Sequence, residues 1–432
     1  MARRGRAALT DDLFDLAAHG LQGDSQRFHR LGSDAFAFVN EAEQDVLGSD
    51  VAVVEQASFF LRQHNHPTSP IGEAFKHGGS VSVRGFRRVA ALGRWVPPGL
   101  WRSLARVSSA SMFALPSHVT DLARIEAALK ESVQTPDPYL SEIASHLIIA
   151  GGKRLRPILT VVAAQVGGAA DAELHERSVQ GGISCELVQT GSLYHDDVMD
   201  EADTRRGVET VNARWGNLQA ILAGDFLLSR ASEIAASLGT EVAGLLARTI
   251  GRLCEGQIEE LRHTYNAARP EASYLSSISG KTASLYATAA RIGGLVAGFD
   301  RPIIDALNEY GEAFGMVFQI VDDLLDITAT DEQLGKPAGH DIVEGVYTLP
   351  VLRTLQAGGV AAAELNALLG KPLDMAEREK ALGIVRGNGG ITASMTVARE
   401  WAARAEAACK LLPQSAATDV LFVAPSALLA SF

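Results

Sequence analysis

The sequence predicts an all-α protein. From about residue 117 to the C-terminus, apolar residues recur every three to four positions, and Gly, Pro or polar turns punctuate the periodic segments. No stretch shows the strict alternation of a half-buried strand. The chain has 432 residues, of which 47% are hydrophobic, so it can bury one large core. Ten or more helices are expected, too many for a simple four-helix bundle.

The helices follow in order. Residues 118–134 carry Val119, Leu122, Ile125 and Leu129 on one face, and 137–150 carry Tyr139, Ile143, Leu147 and Ile148. The same patterning marks 157–167, 176–200, 216–238, 241–266, 271–298, 302–329, 349–358, 360–369, 375–388 and 392–411. The apolar stretch 419–430, with Val420, Leu421, Phe422, Val423, Leu428 and Leu429, reads as a docked C-terminal helix or strand-like tail.

Residues 1–111 differ. They hold 13 Lys+Arg against 11 Asp+Glu, a net +2, whereas the remainder carries 26 against 40, a net −14. Residues 84–106 combine six arginines with Trp95, Trp101 and Leu100, as a basic membrane-surface segment would. Pro97-Pro98 interrupts any helix there, which favours a poorly ordered extension, or translated sequence upstream of the native start. Met112 is an in-frame start, and the native protein is expected to begin near it; intact mass from the natural host tests this. The division is therefore an N-terminal extension, 1–111, and a helical domain, 112–432.

Composition excludes several classes. Cys185, Cys254 and Cys409 are widely spaced, which argues against a disulfide framework or zinc site and fits a reducing cytoplasm. No apolar run is long enough to span a membrane. Asp11, Asp12 and Asp15 stand where a signal peptide would have its apolar core. A net charge of −12 excludes a general nucleic-acid binder.

The chemistry concentrates in a few motifs. Asp196-Asp197-Val198-Met199-Asp200 ends a long apolar helix, and Asp322-Asp323-Leu324-Leu325-Asp326 repeats the pattern. Aspartates four apart lie one turn apart on one face and repel unless a cation sits between them. All-oxygen donors favour a hard ion such as Mg²⁺, which shares phosphate with the protein. One such motif could be a solvated helix end; two, each inside an apolar segment, are hard to read that way. Gly151-Gly152-Lys153-Arg154-Leu155-Arg156-Pro157 sets three cations beside flexible glycines, as suits a polyoxygen anion. Arg205-Arg206 follow the first acidic motif, Lys281-Thr282 begin a helical stretch, and Phe318-Gln319 precede the second acidic motif.

GGKRLRP, HDDVMD, RRG, KTASL, FQIVDDLLDI, GKPAG and the EGxxTLP of Glu344–Pro350 occur in that order. Together they resemble the trans-type polyprenyl diphosphate synthases, over residues 117–411. The resemblance implies an isoprenoid-synthase-like helical bundle around a deep central cavity, a homodimer, and a cytoplasmic protein without an integral membrane segment, peripheral to the membrane only through its product. It implies Mg²⁺ as cofactor, three ions per site, held by Asp196, Asp200, Asp322 and Asp326. Arg205, Lys281, Thr282, Gln319 and Lys336 match contacts to an allylic prenyl diphosphate. Lys153, Arg156, Gln189 and Arg206 match the isopentenyl diphosphate site. The implied chemistry is ionisation of the allylic diphosphate, condensation with isopentenyl diphosphate, and proton loss.

In that family the residues below the first acidic motif limit product length. Ser192 and Gly191 lie about one turn below Asp196, with Val188 a turn further. None is aromatic, so a medium- to long-chain trans product is expected, and Gly191→Phe with Ser192→Phe should shorten it. Two departures stand out: Val346 occupies the position of a frequent diphosphate-contacting Lys, and Gln189 that of a frequent His. Two alternatives differ in test. A class I terpene cyclase would turn over without isopentenyl diphosphate, and a non-catalytic subunit of a heteromeric synthase would be inactive alone.

Overall fold

The computed structural model describes residues 112–432 apart from 114, 169 and 330–337. What was read for residues 1–111, and Lys336, lies outside the described residues. Met112 and Phe113 are already buried, and the Phe113 ring lies 4.9 Å from that of Phe314, so the packed domain includes the chain from 112 onward.

The described residues form the expected all-α bundle. Its first half comprises α1 (His118–Ser132), α2 (Pro138–Ile149), α3 (Leu155–Ala164) and α4 (Ala172–Met199). The short α5 (Val211–Trp215) then leads to α6 (Asn217–Leu238) and α7 (Thr240–Leu261). After α8 (Glu271–Ile278) the chain passes through a single π-turn, Ser279–Ala283, into α9 (Ser284–Val296) and α10 (Arg301–Thr328). Short α11 (His340–Val343), α12 (Leu349–Gln356) and α13 (Gly359–Leu368) follow. The chain closes with α14 (Met375–Gly387), α15 (Gly390–Cys409) and α16 (Ala416–Ala430). The tail is thus a helix rather than strand-like; the Tyr310 hydroxyl ties it down by donating to the Leu421 carbonyl at 2.9 Å.

Local chemistry sets the helix starts. Asp137 accepts from the Tyr139 N–H ahead of Pro138. Asp171 accepts from the Leu174 N–H, and Asp374 with Glu377 forms a capping box. One feature departs from the sequence expectation. Thr204–Arg205 pairs antiparallel with Val208–Glu209 as a two-residue hairpin, β1–β2. Its turn, Arg206-Gly207, has φ of 55° and 77°, the both-positive geometry of a tight hairpin turn. Such a ribbon is too short to show alternation.

The long helix α4 is buried through its middle, from Ser178 to Tyr194, and polar at both ends. It packs most extensively against α6, where two glycines meet. A Cβ on Gly191 would stand 3.0 Å from the Gly224 carbonyl oxygen, and one on Gly224 only 2.3 Å from His195 Nε2. A second close crossing joins α7 to the π-turn. A Cβ on Gly256 would lie 2.5 Å from the Lys281 amide nitrogen, and one on Gly280 2.7 Å from the Arg252 carbonyl oxygen. Those crossings set where the ends of α4 and the π-turn come to rest.

Candidate active site

The first acidic motif ends α4. Asp196 lies in its last turn, and Asp200 is the residue that terminates it. The second occupies the last two turns of α10. A helix C-terminus carries partial negative charge, so carboxylates there are unfavourable. Neither helix has a basic residue in its last turn. Burial, then Asp196 and Glu344, push the Asp200 carboxyl up to about 6. Burial raises Asp196 too, against the opposing pull of Lys281 and Arg205.

Lys281 stands beside the first motif. Its Nζ donates to Glu260 Oε1 at 2.8 Å. Burial works against this ammonium, but Glu260, Asp196 and Asp200 more than offset it and hold it at about 12, charged at any ordinary pH. Glu260 also acts on Asp323 of the second motif, so one carboxylate on α7 borders both acidic helix ends. The π-turn brings this about: it inserts a residue into the 271–296 stretch, and π-bulges of this kind mark functional sites.

The aspartates within each motif divide in two. Asp197 is fully buried and accepts from Arg205 Nε, which anchors the hairpin to α4. Asn212 Nδ2 donates to the Asp197 carbonyl at 3.1 Å. Arg205 is therefore committed through Nε, and its Nη groups are those that can reach a ligand. Asp323 is likewise buried, whereas Asp322 beside it is exposed. Asp326 is buried at the end of α10 and accepts from the Asp341 N–H.

The basic loop meets the hairpin nearby. Arg206 Nη1 donates to the carbonyls of Leu147 (2.9 Å) and Gly151, which pins the glycine loop to the hairpin turn. The Arg156 guanidinium stacks 4.3 Å from the Tyr286 ring, and its Nε is buried without a hydrogen-bond partner. Lys153 Nζ lies 5.9 Å from the Phe318 ring centroid, and Phe318 lies 5.3 Å from Tyr286. Gln189 is partly buried on α4, one turn beyond Cys185 in the direction of Asp196, and Cys185 feels the Arg156 charge. Arg154, the middle cation of the loop, points inward instead. It is 1% exposed at a left-handed φ of 48° and pairs with Glu126 (2.7 Å) and Glu186 (2.9 Å). It also donates to the Ile148 carbonyl at 2.7 Å.

Thr282 and Gln319 come together as a pair. Thr282 Oγ1 donates to Gln319 Oε1 at 2.6 Å, and Gln319 Nε2 donates to Asp323 Oδ1 at 2.8 Å. One expectation needs correction. Gly191 faces α6 rather than open space, and any side chain there meets the Gly224 backbone. Ser192, half-buried, is the residue one turn below Asp196 on its own face, and Val188 is fully buried in the core. Glu260, Asp197, Tyr274 and the Arg154 pairs had no distinguishing sequence signal, since each acts through partners distant in the chain.

The donor set fits a divalent hard cation. Among the described residues no three carboxylate, imidazole or thiolate groups close on a common point, so the protein does not build a complete cage. Mg²⁺ suits such a site, because it typically takes one or two carboxylates and completes its shell with phosphate and water. The crowded, raised carboxyls of Asp196 and Asp200 are what a cation relieves.

Helical bundle, paired acidic helix ends and adjoining basic loop together define a prenyl-transferring class of enzyme. A family model described as polyprenyl synthetase matches residues 137–385. A nonaprenyl diphosphate synthase of Mycobacterium tuberculosis is 40% identical over 293 residues, covering 68% of this chain and 87% of that protein. A heptaprenyl diphosphate synthase component 2 of Geobacillus stearothermophilus is 40% identical over 302 residues, 70% of this chain and 92% of that one. The crystal structure of a polyprenyl synthase from Caulobacter crescentus, complexed with calcium and isoprenyl diphosphate, superimposes with a TM-score of 0.69 at 32% identity, over 74% of this chain and 97% of that one. The chain belongs to the polyprenyl synthetase family. It is a prenyltransferase, a polyprenyl diphosphate synthase.

Proposed function

We propose that the chain condenses an allylic prenyl diphosphate with isopentenyl diphosphate in a Mg²⁺-dependent reaction, giving a trans product longer than farnesyl. What supports this reading is that the cations fall into two groups, as two diphosphates would need. Lys281 and the Arg205 Nη groups border the first acidic motif, while Lys153, Arg156 and Arg206 gather on the glycine loop.

Asp196, Asp200, Asp322 and Asp326 would hold the metal. When bound, Mg²⁺ neutralises charge on the leaving diphosphate. Lys281, Arg205 and, outside the described residues, Lys336 bind and orient that diphosphate. Lys153, Arg156, Gln189 and Arg206 place isopentenyl diphosphate so that its double bond meets the allylic carbon. The Thr282 and Gln319 oxygens direct negative dipole ends at the developing cation. The Phe318 and Tyr286 rings exclude water that would capture it. No side chain stands out as general base, so the departed diphosphate takes the proton.

Residues 112–432 carry the activity, in the cytoplasm and as a homodimer. Among the described residues no helix is long and apolar enough to cross a membrane. Exposed Leu218 and Leu222, one turn apart on α6, and Ile258 and Leu261 on α7 offer a second copy an apolar face. The decisive assay uses the purified chain alone with Mg²⁺, an allylic diphosphate and isopentenyl diphosphate, with product length read by chromatography. Turnover without isopentenyl diphosphate would indicate a cyclase, and no turnover by the lone chain would indicate a subunit that needs a partner.

A further inference from the structure

Asp323 is held through both of its oxygens. It is 3% exposed, and each of its oxygens already accepts a hydrogen bond: Oδ1 from Gln319 Nε2 at 2.8 Å, Oδ2 from the Tyr274 hydroxyl. Tyr274 is itself fully buried on α8. Arg269 lies behind it, 5.7 Å from the Tyr274 ring, with Nη2 donating to Ser277 Oγ at 2.7 Å. Asp323 thus faces into the α8–α10 contact, away from the exposed side on which Asp322 lies.

This has a chemical consequence for Gln319. A side-chain amide can present either end to a given neighbour, and the choice is set by what its partners can do. Both Asp323 oxygens act as acceptors here, one from the Tyr274 hydroxyl and one facing Gln319, so the end of the amide turned to Asp323 is its nitrogen. The Gln319 carbonyl oxygen must then point the other way, where it receives the Thr282 hydroxyl at 2.6 Å. We propose that Asp323, braced by Tyr274, is a positioning residue that orients the Gln319 amide so that its oxygen, and not its nitrogen, faces Thr282 and the reacting centre. A reversed amide would aim two N–H donors, positive dipole ends, at an incipient carbocation. The inference rests on the prenyl-transfer reading above. It separates Asp323 from the Mg²⁺-binding aspartates of its own motif.

The experiment compares Asp323→Ala, Asp323→Asn and Tyr274→Phe, each alone and with Gln319→Ala. Loss of an orienting partner of this kind typically costs about 10- to 100-fold. Asp323→Ala is expected to lower kcat by about that factor. KM for the allylic diphosphate and the Mg²⁺ concentration for half-maximal activity should stay within about twofold. Mg²⁺ affinity measured by calorimetry should not change either. Asp323→Asn restores an acceptor and should recover part of the loss. Tyr274→Phe should fall in the same direction by less. Adding Asp323→Ala to Gln319→Ala should cost nothing further, because both act through one amide. A rise in Mg²⁺ requirement with Asp323→Ala, an Asn variant as poor as Ala, or full additivity with Gln319→Ala would each overturn the proposal. Should Asp323→Ala not fold, Tyr274→Phe decides alone: unchanged kcat overturns, a drop at constant Mg²⁺ affinity supports. An inactive wild-type chain would overturn the prenyl-transfer reading itself, a separate outcome.

Discussion

At the residue scale, the first acidic motif crowds like charges that Lys281 and Arg205 only partly offset. Asp200 shows this most directly, with its carboxyl at about 6. Metal binding needs the carboxylate, so protons compete as pH falls through that value. The Mg²⁺ concentration for half-maximal activity should therefore rise when pH drops from 7.5 to 5.5, and Asp200→Asn should weaken that dependence. Stability is linked with the opposite sign. A carboxyl whose folded pKa lies above its unfolded one destabilises the metal-free fold at pH above about 6, and the penalty vanishes as pH falls below about 4. Mg²⁺ should thus raise the melting temperature more at pH 7.5 than at 5.5. A metal effect independent of pH would contradict this account.

Arg154 is the other instructive residue. Its motif reads as three cations for an anion, yet only Lys153 and Arg156 are placed for that. Arg154 is spent on Glu126, Glu186 and the Ile148 carbonyl, which hold its left-handed backbone and so shape the loop. Removing one member of a buried ion pair strands the other, at a cost of about 3–5 kcal/mol. Arg154→Ala should lower stability by that order in chemical denaturation. In the milder Glu126→Gln variant, KM for isopentenyl diphosphate should rise more than KM for the allylic substrate. Equal changes in both would show that the loop does not define one of the two sites.

At the scale of elements, glycine contacts place the catalytic helix ends. Gly256 lets α7 approach the π-turn closely enough for Glu260 to reach Lys281. A methyl there would press on the Lys281 amide and the Ser277 carbonyl, both backbone atoms that cannot swing aside. Gly256→Ala should cost about 1–3 kcal/mol, despite the helical preference for Ala, and lower kcat by displacing Lys281. The α4–α6 crossing changes the expected determinant of product length. Gly191→Phe would force the helices apart and read out as lost stability rather than a shorter product. Ser192→Phe, on the face of Asp196, should shorten the product by itself; unchanged chromatographic length would place the floor elsewhere.

At the scale of the whole molecule, the described residues form one helical domain beginning at the buried Met112 and Phe113. A chain trimmed to 112–432 should keep the kcat and product length of the full chain, measured side by side. A loss of more than a few-fold would give residues 1–111 a part in catalysis. The relatives at 40% identity likewise align over about two thirds of the chain.

Helix periodicity was readable to within a few residues, because apolar spacing alone determines which faces can be buried. The acidic motifs, the basic loop and the Lys-Thr and Gln pairs were readable for a related reason: each is a short run whose chemistry depends on its own neighbours. Those features by themselves determined the fold class, the family and the anionic character of the substrates. The tertiary structure alone decided how residues inside a motif divide their work. Asp197 and Asp323 turn inward to Arg205, Tyr274 and Gln319, while Asp196 is partly exposed and Asp200 and Asp322 are exposed. Arg154 holds the loop that presents its neighbours, and Gly191 belongs to a helix crossing rather than a cavity floor. Adjacent residues on a helix differ by about 100° in direction, so the same letters in one motif meet different surroundings. Which surroundings they meet depends on helices tens of residues away in the chain, and no local pattern encodes that.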